Sequence, residues 1–108
     1  EAPVEVLERM LAVRIHLDPV TLDNGPMELV PGSHRDGRQS PADATRGEVL
    51  QHDAGDVLLM RPLVLHRSVR SSSGCTLRRR VLHFELAPER VLPEGHRWHS
   101  WTPVCPQE

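Results

Sequence analysis

Seven histidines in 108 residues, several of them close to carboxylates, raise metal chemistry before any other. A non-haem iron held by two imidazoles and one carboxylate keeps its opposite face open for substrate and oxygen. His16-Leu17-Asp18 lies on an alternating apolar/polar stretch, and His66 lies downstream where another apolar stretch ends. Residues two apart on a strand point to the same side, so His16, Asp18 and His66 could form a His-x-Asp…His iron site. A plainer reading competes with it. Polar residues alternate along the wet face of any half-buried strand, and Asp18, just before Pro19, could simply cap a turn.

Other reactive residue types point to less. Cys75 and Cys105 have no Cys-x-x-Cys partner, which removes thiolate metal sites and thioredoxin-like chemistry and leaves two ordinary thiols. Arg67, Arg70 and the run Arg78-Arg79-Arg80 would suit a phosphate or an acidic substrate, although arginines in polar loops are more often merely solvated. His52, His96 and His99 have no partner that spacing can name.

The elements that must position these groups are short. Pro3, Glu5 and Glu8 suit one or two helical turns at the start. Leu11 to Asp18 is the clearest strand, with Ala12, Arg14, His16 and Asp18 on one face and Leu11, Val13, Ile15 and Leu17 on the other. Asp23-Asn24-Gly25-Pro26 is a strong turn in which Gly25 can take a positive φ. Met27 to Val30 reads as a strand ended by Pro31-Gly32, and Ser33 to Arg46 as a surface excursion with a helical turn at Ser40-Pro41. Strands at Glu48–His52 and Val57–Met60 flank the turn Asp53-Ala54-Gly55-Asp56. Beyond Pro62, Leu63 to His66 is either a new strand or the same one resumed past a bulge. Leu77 to Leu86 is the last strand, and the Pro-rich segment from Ala87 is expected to lie across a sheet edge as an irregular arm. Six short strands without a long helix predict an all-β sandwich or barrel in a single domain, residues 1–108.

Composition narrows the partners. Thirteen Lys and Arg against fifteen Asp and Glu give a net charge of −2, which argues against a general nucleic-acid binder. No apolar run reaches the length of a membrane span, and no targeting motif is visible, so a cytoplasmic protein is expected. The sequence opens on Glu1 and not on Met, which suggests a processed piece or part of a longer chain.

Three blocks carry a family resemblance. Asp23-Asn24-Gly25-Pro26-Met27-Glu28-Leu29-Val30-Pro31-Gly32-Ser33-His34-Arg35 resembles the Asn-Gly-Pro-Leu…Pro-Gly-Ser-His signature of the phytanoyl-CoA dioxygenases. Gly55-Asp56 through His66 resembles the family's Gly-Asp…His block, and Arg79-Arg80-Val81-Leu82-His83-Phe84-Glu85 its closing strand. Together they span about Val4 to Trp98. The resemblance implies an oxygenase dependent on Fe(II) and 2-oxoglutarate, built on a double-stranded β-helix (jelly roll, cupin-like), of which this chain is either the carboxy-terminal part or a shortened member. It implies that His66 is the distal iron ligand. It further implies that Arg79 pairs with the distal carboxylate of 2-oxoglutarate, with Arg80 as the alternative in that run. The family's His-x-Asp pair would precede Glu1, so His16 and Asp18 fall on an intervening strand and are not expected to chelate iron with His66. Gly32 and Ser33 are expected to shape a turn, His34 to be structural or to face substrate, and His83 to line the pocket beside Arg79. The implied partner is a small-molecule substrate. Six strands leave an edge or an apolar face open, to be covered in a homodimer or by a preceding amino-terminal segment. The rival expectation is a catalytically inactive half jelly-roll acting as a binding or assembly module.

Overall fold

A computed structural model describes residues 2–37 and 47–104. A single helical turn, α1 (Val4–Leu7), leads into β1 (Leu11–His16). There follow β2 (Met27–Leu29), a 3₁₀ turn at Ser33–Asp36, β3 (Glu48–Leu50), β4 (Val57–Met60), β5 (His66–Ser68) and β6 (Val81–Leu86). The strands form two three-stranded antiparallel sheets, ordered β4-β1-β6 and β3-β2-β5. The fold is all-β, as the alternation and turn spacing predict. The Ser40-Pro41 turn and Cys105 lie outside the described residues; Cys75 is a half-buried free thiol.

Register fixes which side chains face inward, because residues directly opposite one another share a face. In the first sheet Ala12 stands opposite Met60 and Glu85, Arg14 opposite Leu58 and His83, and His16 opposite Val81. In the second, Met27 stands opposite Leu50 and Ser68, and Leu29 opposite Glu48 and His66. Ala12, Met27 and Met60 form the buried core, with Leu29, Leu58 and Val64 packed against it. These are therefore the inner faces, and the sheets meet there as a sandwich.

The outer faces differ. Glu28 and Arg67 pair at 2.6 Å on the outside of β3-β2-β5, an ordinary wet surface. The outside of β4-β1-β6 is apolar throughout: Ile15 lies between Val57 and Leu82, Val13 between Leu59 and Phe84, and Leu11 beside Leu86. Its flanking strands remain open to solvent, with Leu59 60% and Phe84 49% exposed. The described residues after β6, 87–104, leave it exposed. That segment folds upon itself through Trp98 Nε1, which donates to the Glu89 carbonyl at 3.2 Å, and Glu89 pairs with Arg9 beside α1.

Several strands are shorter than alternation suggests, β2 ending at Leu29 and β3 at Leu50. β1 stops at His16, so Asp18 falls in a bend and does not share the His16 face. Leu63 to Leu65 are not strand: Pro62 opens a turn closed by Val64 N–H donating to the Arg61 carbonyl at 3.1 Å. The chain then crosses, and β5 is a new strand in the other sheet. β6 begins at Val81 and not at Leu77.

Candidate functional site

Two turns place the residues of interest. Asn24, 3% exposed, accepts the Thr21 N–H at 2.7 Å on its side-chain oxygen. Its amide donates to the Pro19 carbonyl at 2.9 Å and to the Arg78 carbonyl at 3.3 Å, so one side chain closes its own turn and holds the strand leading into β6. Gly25 follows at φ 80°. A Cβ there would stand 3.1 Å from the Val69 carbonyl and 3.6 Å from Arg79 Nε, so backbone and arginine approach where no side chain fits. The Asn-Gly dipeptide thus docks against the segment that carries Arg79.

The second turn anchors His66. Gly32 takes a left-handed conformation at φ 80°, and Ser33 is buried behind it. The Ser33 hydroxyl donates to the Val30 carbonyl at 2.6 Å and accepts the Leu65 N–H at 2.8 Å, while Val30 N–H donates to the Leu65 carbonyl at 2.9 Å. The residue before His66 is therefore pinned from both sides. Gly32 and Ser33 act as expected, with Ser33 reaching further than a local cap. His66 belongs to the inner face by register but stays exposed, because β5 is an edge strand. Its Nδ1 lies 2.5 Å from the Val64 carbonyl. A carbonyl only accepts, so Nδ1 is the donor, and in the neutral imidazole that tautomer leaves the Nε2 lone pair for a metal.

Arg80 and Asp18 are occupied with each other. Asp18 accepts the Arg80 backbone N–H at 2.8 Å and the guanidinium through Nε at 3.0 Å and Nη2 at 2.9 Å. Hydrogen bonds from Arg80 hold the Asp18 carboxyl down at about 2 and raise the guanidinium in turn. Arg79, the preceding residue, is exposed, with its Nε beside Gly25 and its charge felt by Arg14 and His16, both on the inner face of β1. His83 lies 3.9 Å from Glu85 on that face.

His16 is 4% exposed and stacks on His52, with ring centroids 4.0 Å apart and planes 14° from parallel. His52 is carried there by an isolated bridge to Val20, with N–H···O contacts of 2.8 and 3.0 Å in the two directions. Neither ring nitrogen of His16, nor His52 Nε2, nor Arg14 Nε has a hydrogen-bond partner among the described residues. Burial pushes the His16 imidazole below its ordinary value, helped by His52, Arg14 and Arg79 and opposed by Asp56. Sequence spacing did not reveal this cluster, since His52 comes from a separate segment.

A sequence model of the phytanoyl-CoA dioxygenase (PhyH) family matches residues 2–81. The chain belongs to that family. The match takes in the Asn-Gly-Pro and Pro-Gly-Ser-His turns, His66 and Arg79, and ends as β6 begins. Membership of the phytanoyl-CoA dioxygenases places the chain among the Fe(II)/2-oxoglutarate-type oxygenases. No curated protein and no solved structure matches it. Among the described residues, no group of three His, Cys, Asp or Glu side chains is placed to hold a metal ion, and no helix is long and apolar enough to cross a membrane.

Proposed function

We propose that this chain is the carboxy-terminal part of a phytanoyl-CoA-dioxygenase-type hydroxylase that uses Fe(II) and 2-oxoglutarate on a small-molecule substrate. The supporting observation is the pairing of roles across the two sheets. His66 presents an imidazole fixed through Nδ1 in one sheet, and Arg79 leads into β6 of the other, its charge felt by Arg14 and His16. An imidazole fixed through Nδ1 suits Fe(II), and a guanidinium with no ion-pair partner among the described residues suits a carboxylate. His66 would hold the metal at the mouth of the half jelly-roll. Arg79 would receive the distal carboxylate of 2-oxoglutarate in a two-point grip and so set the direction in which that molecule reaches the metal. The Asn24–Arg78 bond and the close approach at Gly25 keep Arg79 in place, as Ser33 does for His66. Bound together, Fe(II) and 2-oxoglutarate supply the oxidative decarboxylation that drives hydroxylation of a C–H bond. The remaining two ligands, a His-x-Asp pair, would come from outside these residues, since Asp18 is committed to Arg80 and His16 to the stack on His52.

Iron-edge absorption on the Fe(II)-loaded protein tests the ligand set. Loss of one imidazole in His66→Ala and no change in His16→Ala is expected. An equal loss in His16→Ala would put the metal on His16-Leu17-Asp18 instead.

The apolar outside of β4-β1-β6 favours a second reading, a half jelly-roll that serves as an assembly module. A surface of this kind is built to be covered, by a second copy or by a further segment of the oxygenase. In either case the covering element touches Leu59, Val13 and Phe84.

A further inference from the structure

We propose that the cleft between α1 and the segment after β6 is a second binding site, one that takes a small primary amine with an apolar body. The cleft holds about 430 Å³, within the range of small-molecule sites, and neither His66 nor Arg79 lines it. It lies at the end of the first sheet where Leu11 meets Leu86, whereas Arg79 leads into the opposite end, where His16 meets Val81. The length of β1, roughly 17 Å, separates the two ends. One wall, drawn from residues 87–93, also falls beyond residue 81, where the match to the phytanoyl-CoA dioxygenase model stops. The cleft is therefore built partly from chain outside the shared oxygenase frame.

That wall is held in shape by contacts outside the cleft. Trp98, which does not line it, donates from Nε1 to the Glu89 carbonyl at 3.2 Å and packs on Trp101 with ring centroids 5.8 Å apart. His96 N–H donates to the Pro93 carbonyl at 3.1 Å and closes a turn in which Glu94 takes φ 54° and Gly95 φ 76°. A left-handed backbone at a glutamate costs free energy, so the surrounding contacts must hold it. From the other side the Arg9–Glu89 ion pair ties the wall to the residues after α1. Val91 is nevertheless 82% exposed, a large apolar side chain kept in water at the cleft.

The lining selects the ligand's class. Val6, Pro88, Val91, Leu92 and Pro93 give the cleft an apolar surface, which favours a hydrocarbon body. Its charged members are Glu5, Arg9 and Glu89, two carboxylates against one guanidinium. Arg9 and Glu89 satisfy each other, while Glu5 has no ion pair or side-chain hydrogen bond among the described residues. The charge left over is negative, so a cation is favoured and an anion is not. None of the described residues lining the cleft is aromatic, which removes the ring faces that hold quaternary ammonium groups. A primary ammonium instead donates its N–H bonds to the Glu5 carboxylate.

Ligand-observed NMR relaxation tests this on the 108-residue chain with three probes that share one body: 4-phenylbutylammonium, 4-phenylbutanol and 4-phenylbutyrate. The ammonium is expected to bind saturably and about two- to fivefold more tightly than the alcohol, the worth of an exposed ion pair, with the carboxylate weakest. Glu5→Gln should bring the ammonium down to the alcohol's affinity and leave the alcohol unchanged. Val91→Arg puts bulk and positive charge into the cleft and should weaken the ammonium by about tenfold or more. Should circular dichroism show that Val91→Arg unfolds, Pro88→Trp fills the cleft from another exposed position and should weaken binding likewise. No saturable binding by the folded chain, or an alcohol or carboxylate that binds as tightly as the ammonium, would overturn the site. So would an ammonium preference that survives Glu5→Gln, or unaltered binding in a folded Val91→Arg or Pro88→Trp chain. None of these outcomes depends on iron or 2-oxoglutarate, so the oxygenase reading stands or falls separately.

Discussion

Both carboxylate oxygens of Asp18 accept hydrogen bonds from the Arg80 guanidinium, and this contact separates two ways of reading the same tripeptide. His16-Leu17-Asp18 looks like a metal pair only while the strand is assumed to continue through Asp18. β1 ends at His16, the chain bends, and the two side chains part company. Opposite partners then fix their fates, Arg80 for Asp18 and His52 for His16. Each leaves its own trace in the pH dependence of stability. Asp18 ionises near 2 when folded and near 3.8 otherwise, so its contribution is complete above about pH 4 and is lost as pH falls through 2. His16 is also depressed, from an ordinary 6.5, so the unfolded chain binds the proton first and stability declines as pH drops below 6.5. Urea midpoints between pH 2 and 8 should show Asp18→Asn flattening the acid limb and His16→Gln the limb below neutrality. A Asp18→Asn profile that overlays the parent's would mean the Arg80 contact does not persist in solution.

Turns do the positioning at the level of elements. Ser33 joins the end of β2 to the start of β5 through Val30 and Leu65, so His66 inherits its place from a hydroxyl more than thirty residues upstream in the chain. Ser33→Ala removes both contacts and leaves the part-buried Leu65 N–H without its acceptor, a loss of about 1 kcal/mol. Chemical denaturation should read that loss, and Fe(II) affinity of the intact oxygenase should fall with it. Unchanged stability and unchanged affinity would show that the turn does not hold His66. Much of this was legible in the sequence. Asn-Gly-Pro and Pro-Gly announce their turns because Gly25 and Gly32 need positive φ, and alternation in β1 correctly grouped Ala12, Arg14 and His16. What was hidden depended on contacts between distant segments. Nothing local to Asn24 says that it will grip the Arg78 carbonyl, nothing local to Asp18 names Arg80, and the stack of His16 on His52 exists only because Val20 bridges to His52. Pro62 marked a break, but whether the chain would resume in the same sheet or cross to the other was decided by Val30 and Ser33 receiving Leu65.

At the scale of the whole molecule, a small core stands beside a bare apolar face. Buried apolar side chains include Met10, Ala12, Val20, Met27 and Met60, whereas Val57, Leu59, Leu82, Phe84 and Leu86 line an open sheet. The Cα radius of gyration, 15.8 Å, exceeds the roughly 13 Å of a compact domain of about 100 residues. Covering the open sheet would remove large side chains from water at about 25 cal/mol per Å². The purified chain is therefore expected to self-associate, and Phe84→Lys to shift sedimentation equilibrium towards monomer while leaving the β-sheet circular dichroism intact. An unaltered association constant in Phe84→Lys would place the contact elsewhere. The central claim is that His66 and Arg79 belong to an Fe(II)- and 2-oxoglutarate-dependent oxygenase whose other iron ligands lie outside this chain. Succinate release with iron, ascorbate and 2-oxoglutarate tests it most directly, comparing the 108 residues with a chain extended upstream through a His-x-Asp pair. The account predicts turnover only in the extended chain, abolished by His66→Ala and with a raised KM for 2-oxoglutarate in Arg79→Gln. His66-dependent turnover by the 108 residues alone, or undiminished turnover in extended His66→Ala, would contradict it.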